Sequence, residues 1–258
     1  MKGNDKERLV ETRHRSKNRD AEELEYKGPD IPWAFVTVFF ILIGVFLFLW
    51  WSPMFCVRNY AITGISRVQR DEVLARCVQW SDNIFALDLE KIERSLEGCP
   101  WIERASCSKK LPDTLHIDIV ERVPVAFAPI DGVVWLIDKD GRVLEEDDGT
   151  SGGLIALTGI QGPVAPGQFL SPAECGWALE VILGVGPVTR SKMIEVNVQN
   201  EECSIILDDG CKVFMGKEKP DSETVLAVLE SILCELESED KIAEYIDLRF
   251  DKQAVKLR

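Results

Sequence analysis

The sequence predicts an α+β protein with one N-terminal transmembrane helix, a β-α-α-β-β unit and a mixed, strand-rich β domain. Three observations predict it. An uncharged apolar run fills Trp33–Trp51, the pattern over about 57–121 reads strand, helix, helix, strand, strand, and the rest alternates short strands with two helices. The expected divisions are a tail at 1–32, the anchor at 33–51, a first domain at 52–124 and a second at 125–258.

The anchor is read from WAFVTVFFILIGVFLFLWW, nineteen residues that reach about 28 Å as a helix, close to the hydrocarbon thickness. Trp33, Trp50 and Trp51 stand at its ends, where interfacial aromatic rings belong. A core helix of this length would carry a polar stripe, and a cleaved leader would have a short basic head and a small-x-small site. On the tail side lie Arg13, Arg15, Lys17, Arg19 and Lys27, against Arg58, Arg67 and Arg70 beyond the run, a bias that places the tail in the cytoplasm and 52–258 outside it.

After the anchor, VRNYAITG reads as a strand closed by Gly64, and Val73, Leu74, Cys77 and Val78 mark a helix over roughly Arg70–Val78. Asp88 offers an N-cap to a second helix with Leu89, Ile92 and Leu96 on one face, stopped by Gly98 and Pro100. WIERASCSKK and LHIDIVE follow as strands around Leu111-Pro112-Asp113-Thr114, with Leu115, Ile117 and Ile119 inward and His116 and Asp118 outward, so the unit is expected to have its own core. VVWLIDKDGRVLEE reads as a hairpin turned at Asp138–Gly141, and the Gly/Pro-rich 149–167 stretch as loop. A helix is expected at Pro172–Leu183, strands near Ile194–Val198, Ser204–Leu207 and Lys212–Met215, and a turn at Asp208-Asp209-Gly210. The pattern ends with a helix over Ser222–Leu236, burying Val225, Leu229, Ile232 and Leu236, then an alternating strand at 246–251 and a short AVKLR strand.

Thirty basic against 44 acidic residues give a net charge of −14, and residues 1–32 balance to zero, so the remainder carries it all. Without a basic stripe, nucleic acid and anionic lipid are poor partners for that part. Two His and no clustered Cys/His pairs exclude most metal enzymes, and no cofactor is implied. The eight Cys read mainly as small buried hydrophobes, as Cys77 and Cys107 fall on apolar faces, with one or two disulfides left open. Ser106-Cys-Ser-Lys109 satisfies the S-x-x-K of a penicillin-binding acyl transferase, and Ser81-Asp82-Asn83 spells S-D-N. On a strand, however, a three-residue step sends Ser106 and Lys109 to opposite faces, the S-D-N comes first, and no K-T-G exists. His116 has no Ser/Asp constellation, and Asp208-Asp209 beside Gly210 suits a turn rather than a cation.

The segment NIFALDLEKIERSLEGCPWIERASCSKKLPDTLHIDIVERVPVAF, Asn83–Phe127, resembles the POTRA domain and its exit in the bacterial cell-division family FtsQ, called DivIB in Gram-positive bacteria. The steps Pro100-Trp101-Ile102, Leu111-Pro112-Asp113-Thr114-Leu115 and Glu121-Arg122-Val123-Pro124-Val125-Ala126 carry the likeness, with Leu136-Ile137-Asp138, Gly141 and Tyr245–Phe250. It extends over nearly the whole chain and is thinnest at 145–190. The resemblance implies a non-enzymatic scaffold of the division septum in the cytoplasmic membrane. Such a scaffold binds the bitopic proteins FtsB and FtsL, helps recruit septal peptidoglycan synthesis, and uses its POTRA domain for recruitment. Another POTRA-bearing class, the outer-membrane assembly proteins, would need a long barrel of strands after this point.

A last strand is often a sheet edge, with unpaired N–H and C=O groups for a partner strand. Ala254, Val255, Lys256, Leu257 and Arg258 are the expected docking edge, and Lys256 and Arg258 are expected to select acidic partner side chains. Phe250, Lys252 and Gln253 match positions around the turn that the family uses to bind FtsB, and Phe250 is expected as the apolar anchor.

Overall fold

A computed structural model describes residues 33–77, 83–149, 152–217, 221–250 and 253–258. The expectations for the tail 1–32 and for Val78, Ser81, Asp82 and Lys252 fall outside those residues. The chain divides into two units, Met1–Ser52 and Pro53–Arg258.

In the first unit, α1 spans Trp33–Trp51, with a mean hydropathy of 2.5 and no buried residue. Its one hydroxyl, Thr37 Oγ1, donates to the Ala34 carbonyl at 2.9 Å, so it adds no unmet donor to an otherwise apolar surface. It is long and apolar enough to cross a membrane.

The second unit begins with β1 (Asn59–Thr63), α2 (Arg70–Cys77), α3 (Leu89–Glu97), β2 (Ile102–Lys110) and β3 (Thr114–Glu121). The central strand β3 runs parallel to β1 and antiparallel to β2, giving the order β1-β3-β2. Period-two alternation buries Leu115, Ile117 and Ile119 against Val73, Cys77, Ile92 and Leu96 of the two helices. Asp88 caps α3 by accepting the Lys91 N–H. Gly64 has φ +81° and packs so closely that a Cβ there would lie 1.9 Å from the Ile119 carbonyl oxygen, so β1 ends on the only residue type that fits.

Nine strands follow in one sheet: β4 (Pro124–Ile130), β5 (Val133–Asp138), β6 (Val143–Glu146), β7 (Ile155–Thr158), β8 (Met193–Gln199), β9 (Glu202–Leu207), β10 (Lys212–Gly216), β11 (Ala243–Asp247) and β12 (Ala254–Leu257). Their order is β12-β11-β10-β9-β8-β7-β4-β5-β6. Among the described residues three helices accompany this sheet: α4 (Pro172–Gly184) and α5 (Pro187–Lys192) between β7 and β8, and α6 (Ser222–Ser238) between the parallel strands β10 and β11. Val181 and Ile182 of α4 and Leu229 of α6 are fully buried in one cluster with Ile137, Val196, Ile205, Val213 and Ile246 of the sheet.

Several expectations need correction. The 149–167 stretch is not all loop, because Ile155–Thr158 forms β7 between β4 and β8. The short helix α5 was also not anticipated. The buried line of α6 is Leu226, Leu229 and Leu233; Val225, Ile232 and Leu236 flank it half-buried. The penultimate strand is Ala243–Asp247 rather than 246–251, so Leu248 is buried beyond its end and Phe250 lies off the strand. The β1-α2-α3-β2-β3 segment does not close its core alone: Leu136 of β5 and Leu144 of β6 are buried among its residues. The Cys agree with the main reading of them as small buried hydrophobes, since six of the eight are buried.

The candidate docking edge at the C-terminus

β12 forms because β11 gives it a complete antiparallel neighbour, pairing Ala243 with Leu257, Tyr245 with Lys256, Ile246 with Val255 and Asp247 with Ala254. A bulge between Ala243 and Tyr245 interrupts the register. β12 ends the nine-stranded sheet, with no strand beside its outer side among the described residues. Val255 stands opposite the fully buried Ile246, and Leu257 opposite the buried Ala243. Both therefore lie on the sheet face that the helices cover, yet they remain 40% and 46% exposed because that cover runs out at β12. Apolar surface and an open strand side coincide there.

The cations are placed differently from each other. The Lys256 ammonium lies 2.6 Å from the Glu244 carboxylate and 5.9 Å over the Tyr245 ring. Donation of its hydrogen bond to the Glu244 carboxylate holds the ammonium pKa above its ordinary range. Lys256 is thus paired within the chain, so an acidic partner side chain would share it with Glu244. Arg258 donates its backbone N–H to the Ile242 carbonyl at 3.0 Å, and its guanidinium lies beside Gly210 in the 208–210 turn.

Phe250, 66% exposed, and Gln253 line one cavity of about 260 Å³ with Asp221, Thr224, Val225, Val228 and Leu248. Two of the candidate residues are therefore brought together between the start of α6 and the β11–β12 connection. Arg249 supports the spot, with its guanidinium 2.7 Å from Asp247, 5.1 Å from the Phe214 ring and 5.6 Å from the Phe250 ring.

Sequence reading missed the aromatic pair beside the edge. Phe214 and Tyr245 meet edge to face with centroids 6.2 Å apart, and Lys212 lies 5.2 Å over Phe214. They come from strands separated by the whole of α6, so only the parallel pairing of β10 with β11 brings them together.

The catalytic motifs weighed above do not assemble. Ser106 is exposed on one face of β2, while Lys109 turns to the other and donates to the Leu87 carbonyl at 2.8 Å and the Phe85 carbonyl at 3.3 Å. His116 Nε2 sits 3.2 Å from Asp118 on the outer face of β3, and Asp209 accepts the Cys211 N–H in its turn. Among the described residues, no group of three or more His, Cys, Asp and Glu could hold a metal ion.

Residues 55–122 match the family model described as "POTRA domain, FtsQ-type", and residues 126–249 match "Cell division protein FtsQ/DivIB, C-terminal". The β12 strand lies beyond both matched ranges. The chain is similar to the cell division protein FtsQ of Myxococcus fulvus, 25% identical over 205 residues, covering 76% of this chain and 70% of that one. It is 29% identical over 208 residues to FtsQ of Anaeromyxobacter sp., covering 77% and 69%. With FtsQ of Mycobacterium leprae it shares 30% identity over 190 residues, covering 70% and 52%. Among solved structures, the major extracytoplasmic domain of the trans isomer of DivIB from Geobacillus stearothermophilus aligns with a TM-score of 0.32 at 12% identity, over 46% of this chain and 95% of that one.

Proposed function

The chain belongs to the FtsQ/DivIB family of bacterial cell-division proteins, and from that premise we propose that it captures FtsB-like and FtsL-like bitopic partners by strand addition at β12. It is a non-catalytic, POTRA-containing, membrane-associated scaffold of the divisome. Within that role, α1 anchors the protein with its tail in the cytoplasm and 52–258 outside, and the POTRA domain at 52–124 serves recruitment while the domain at 125–258 binds the partners. Their capture helps recruit and regulate septal peptidoglycan synthesis.

One observation carries the reading: β12 ends its sheet and exposes Val255 and Leu257 on the face whose neighbouring residues are buried. A partner strand there gains main-chain hydrogen bonds, and its alternate side chains extend the apolar face. Phe250 and Gln253 add a cavity of about 260 Å³ next to the turn, sized for one side chain rather than a cofactor.

Deleting residues 254–258 tests this. The reading expects loss of FtsB and FtsL co-purification while the protein still reaches the division site. Undiminished co-purification of both partners with the deleted chain would overturn it.

A further inference from the structure

Four strands end the two sheets, and on three of them the chain sets its own polar groups. On β6, Val143 donates to the Gln168 carbonyl at 2.9 Å and accepts from the Gly167 N–H at 2.7 Å. On β1, the Arg70 guanidinium donates to the Tyr60 carbonyl at 2.6 Å. The arrangement on β2 is the most developed. There Glu97 accepts the Ala105 N–H at 3.2 Å and Glu93 accepts the Cys107 N–H at 2.6 Å.

This arrangement matches two periods. Residues four apart on a helix rise about 6.0 Å, and residues two apart on a strand about 6.8 Å. One carboxylate per helical turn can therefore meet every second strand N–H, as the carbonyls of a neighbouring strand would. Because Glu93 pairs with Cys107 and Glu97 with Ala105, α3 runs antiparallel to β2, and its two carboxylates stand where the carbonyls of an antiparallel strand would lie. Its position is held from three directions. Asp88 caps its start, Arg76 donates to the Ser95 carbonyl at 3.4 Å, and Arg142, just before β6, donates to the Glu97 carbonyl at 3.1 Å.

We infer that β2 is a strand-accepting edge held shut by Glu93 and Glu97. The inference goes beyond the β12 reading and stands without it. When open, the edge fits an extended segment that supplies carbonyl oxygens to Ala105 and Cys107. Arg104 and Lys110, exposed along the strand, favour acidic side chains on that segment. A copy of β3 is such a segment by construction, since β3 already pairs with β2 along its other side and carries Asp118 and Glu121.

Amide hydrogen exchange on the full-length chain in detergent micelles tests the closed edge, and a fluorescent peptide copying residues 114–121 tests its opening. In the native chain, the Ala105 and Cys107 amides should exchange as slowly as that of Ser106, and the peptide should not bind. Glu93→Ala with Glu97→Ala should speed exchange at both amides at least tenfold and create peptide binding. Glu93→Gln with Glu97→Gln, which keeps the acceptor oxygens, should restore the closed state. Fast exchange of both amides in the native chain would overturn the inference, whether or not the alanine variant folds. So would a folded alanine variant that gains no peptide binding.

Discussion

Arg122 and Asp138, sixteen residues apart, form an ion pair at the junction of the two sheets, with side chains 8% and 1% exposed. Asp140 adds a second carboxylate to the same guanidinium nitrogen at 2.9 Å, and the other Asp138 oxygen accepts the Asp140 and Arg142 N–H groups at 2.9 and 2.7 Å. The pair thus ties the exit of the POTRA segment to the hairpin turn of the next sheet. Removing one partner strands the other charge away from water. Arg122→Ala should cost about 3–5 kcal/mol, whereas breaking the exposed Lys139–Glu103 pair beside it should cost about 0–1 kcal/mol. Urea midpoints of the two variants check the contrast, and equal small losses would contradict the buried role.

Glu121 gives a pH dependence with a defined sign. Burial raises its pKa, but the N–H groups of Ser66, Val68 and Arg67 donate to its carboxylate and leave it below the ordinary 4.5. A depressed folded-state pKa contributes stability above the unfolded value and loses it as pH falls through the folded one. Stability should therefore drop on acidification below about pH 4.5 more steeply in the native chain than in Glu121→Gln. Parallel pH profiles of the two would refute this assignment.

The thiols should divide by burial. Desolvation pushes Cys77 and Cys211 up to about 11 and Cys203 and Cys107 up to about 12. At pH 8, a thiol reagent should label the exposed Cys234 quickly and these four only after denaturation. Rapid labelling of Cys107 or Cys203 in the folded chain would contradict the packing around β2 or β9.

The proposed topology is open to protease. Intact spheroplasts should lose the 52–258 portion and keep a small protected fragment that contains α1. Protection of the large portion would reverse the orientation.

Periodic elements were legible from sequence where local pattern and packing agree. Leu115, Ile117 and Ile119 alternate into the core, and Asp88 caps the helix it was expected to cap. β7 was not legible, because four residues between glycine-rich loops form a strand only when β4 and β8 flank both sides. The helix α5 is six residues long, and Glu230 accepts the Val188 and Thr189 N–H groups at its start from 42 and 41 residues away. At the candidate site, β12 followed from its position and composition, whereas the Lys256–Glu244 pair depends on a bulge that no period reveals. Glu93 and Glu97 read as the polar side of a helix, and only the tertiary placement of α3 turns them toward β2.

The central claim is that a partner strand adds to β12, and the most direct measurement is amide hydrogen exchange at residues 254–257 with and without a purified FtsB-like partner. The account predicts that amides pointing away from β11 exchange freely in the isolated chain and become strongly protected on binding, together with burial of Val255 and Leu257. Tight binding that leaves those outward amides unprotected would place the partner elsewhere and contradict strand addition.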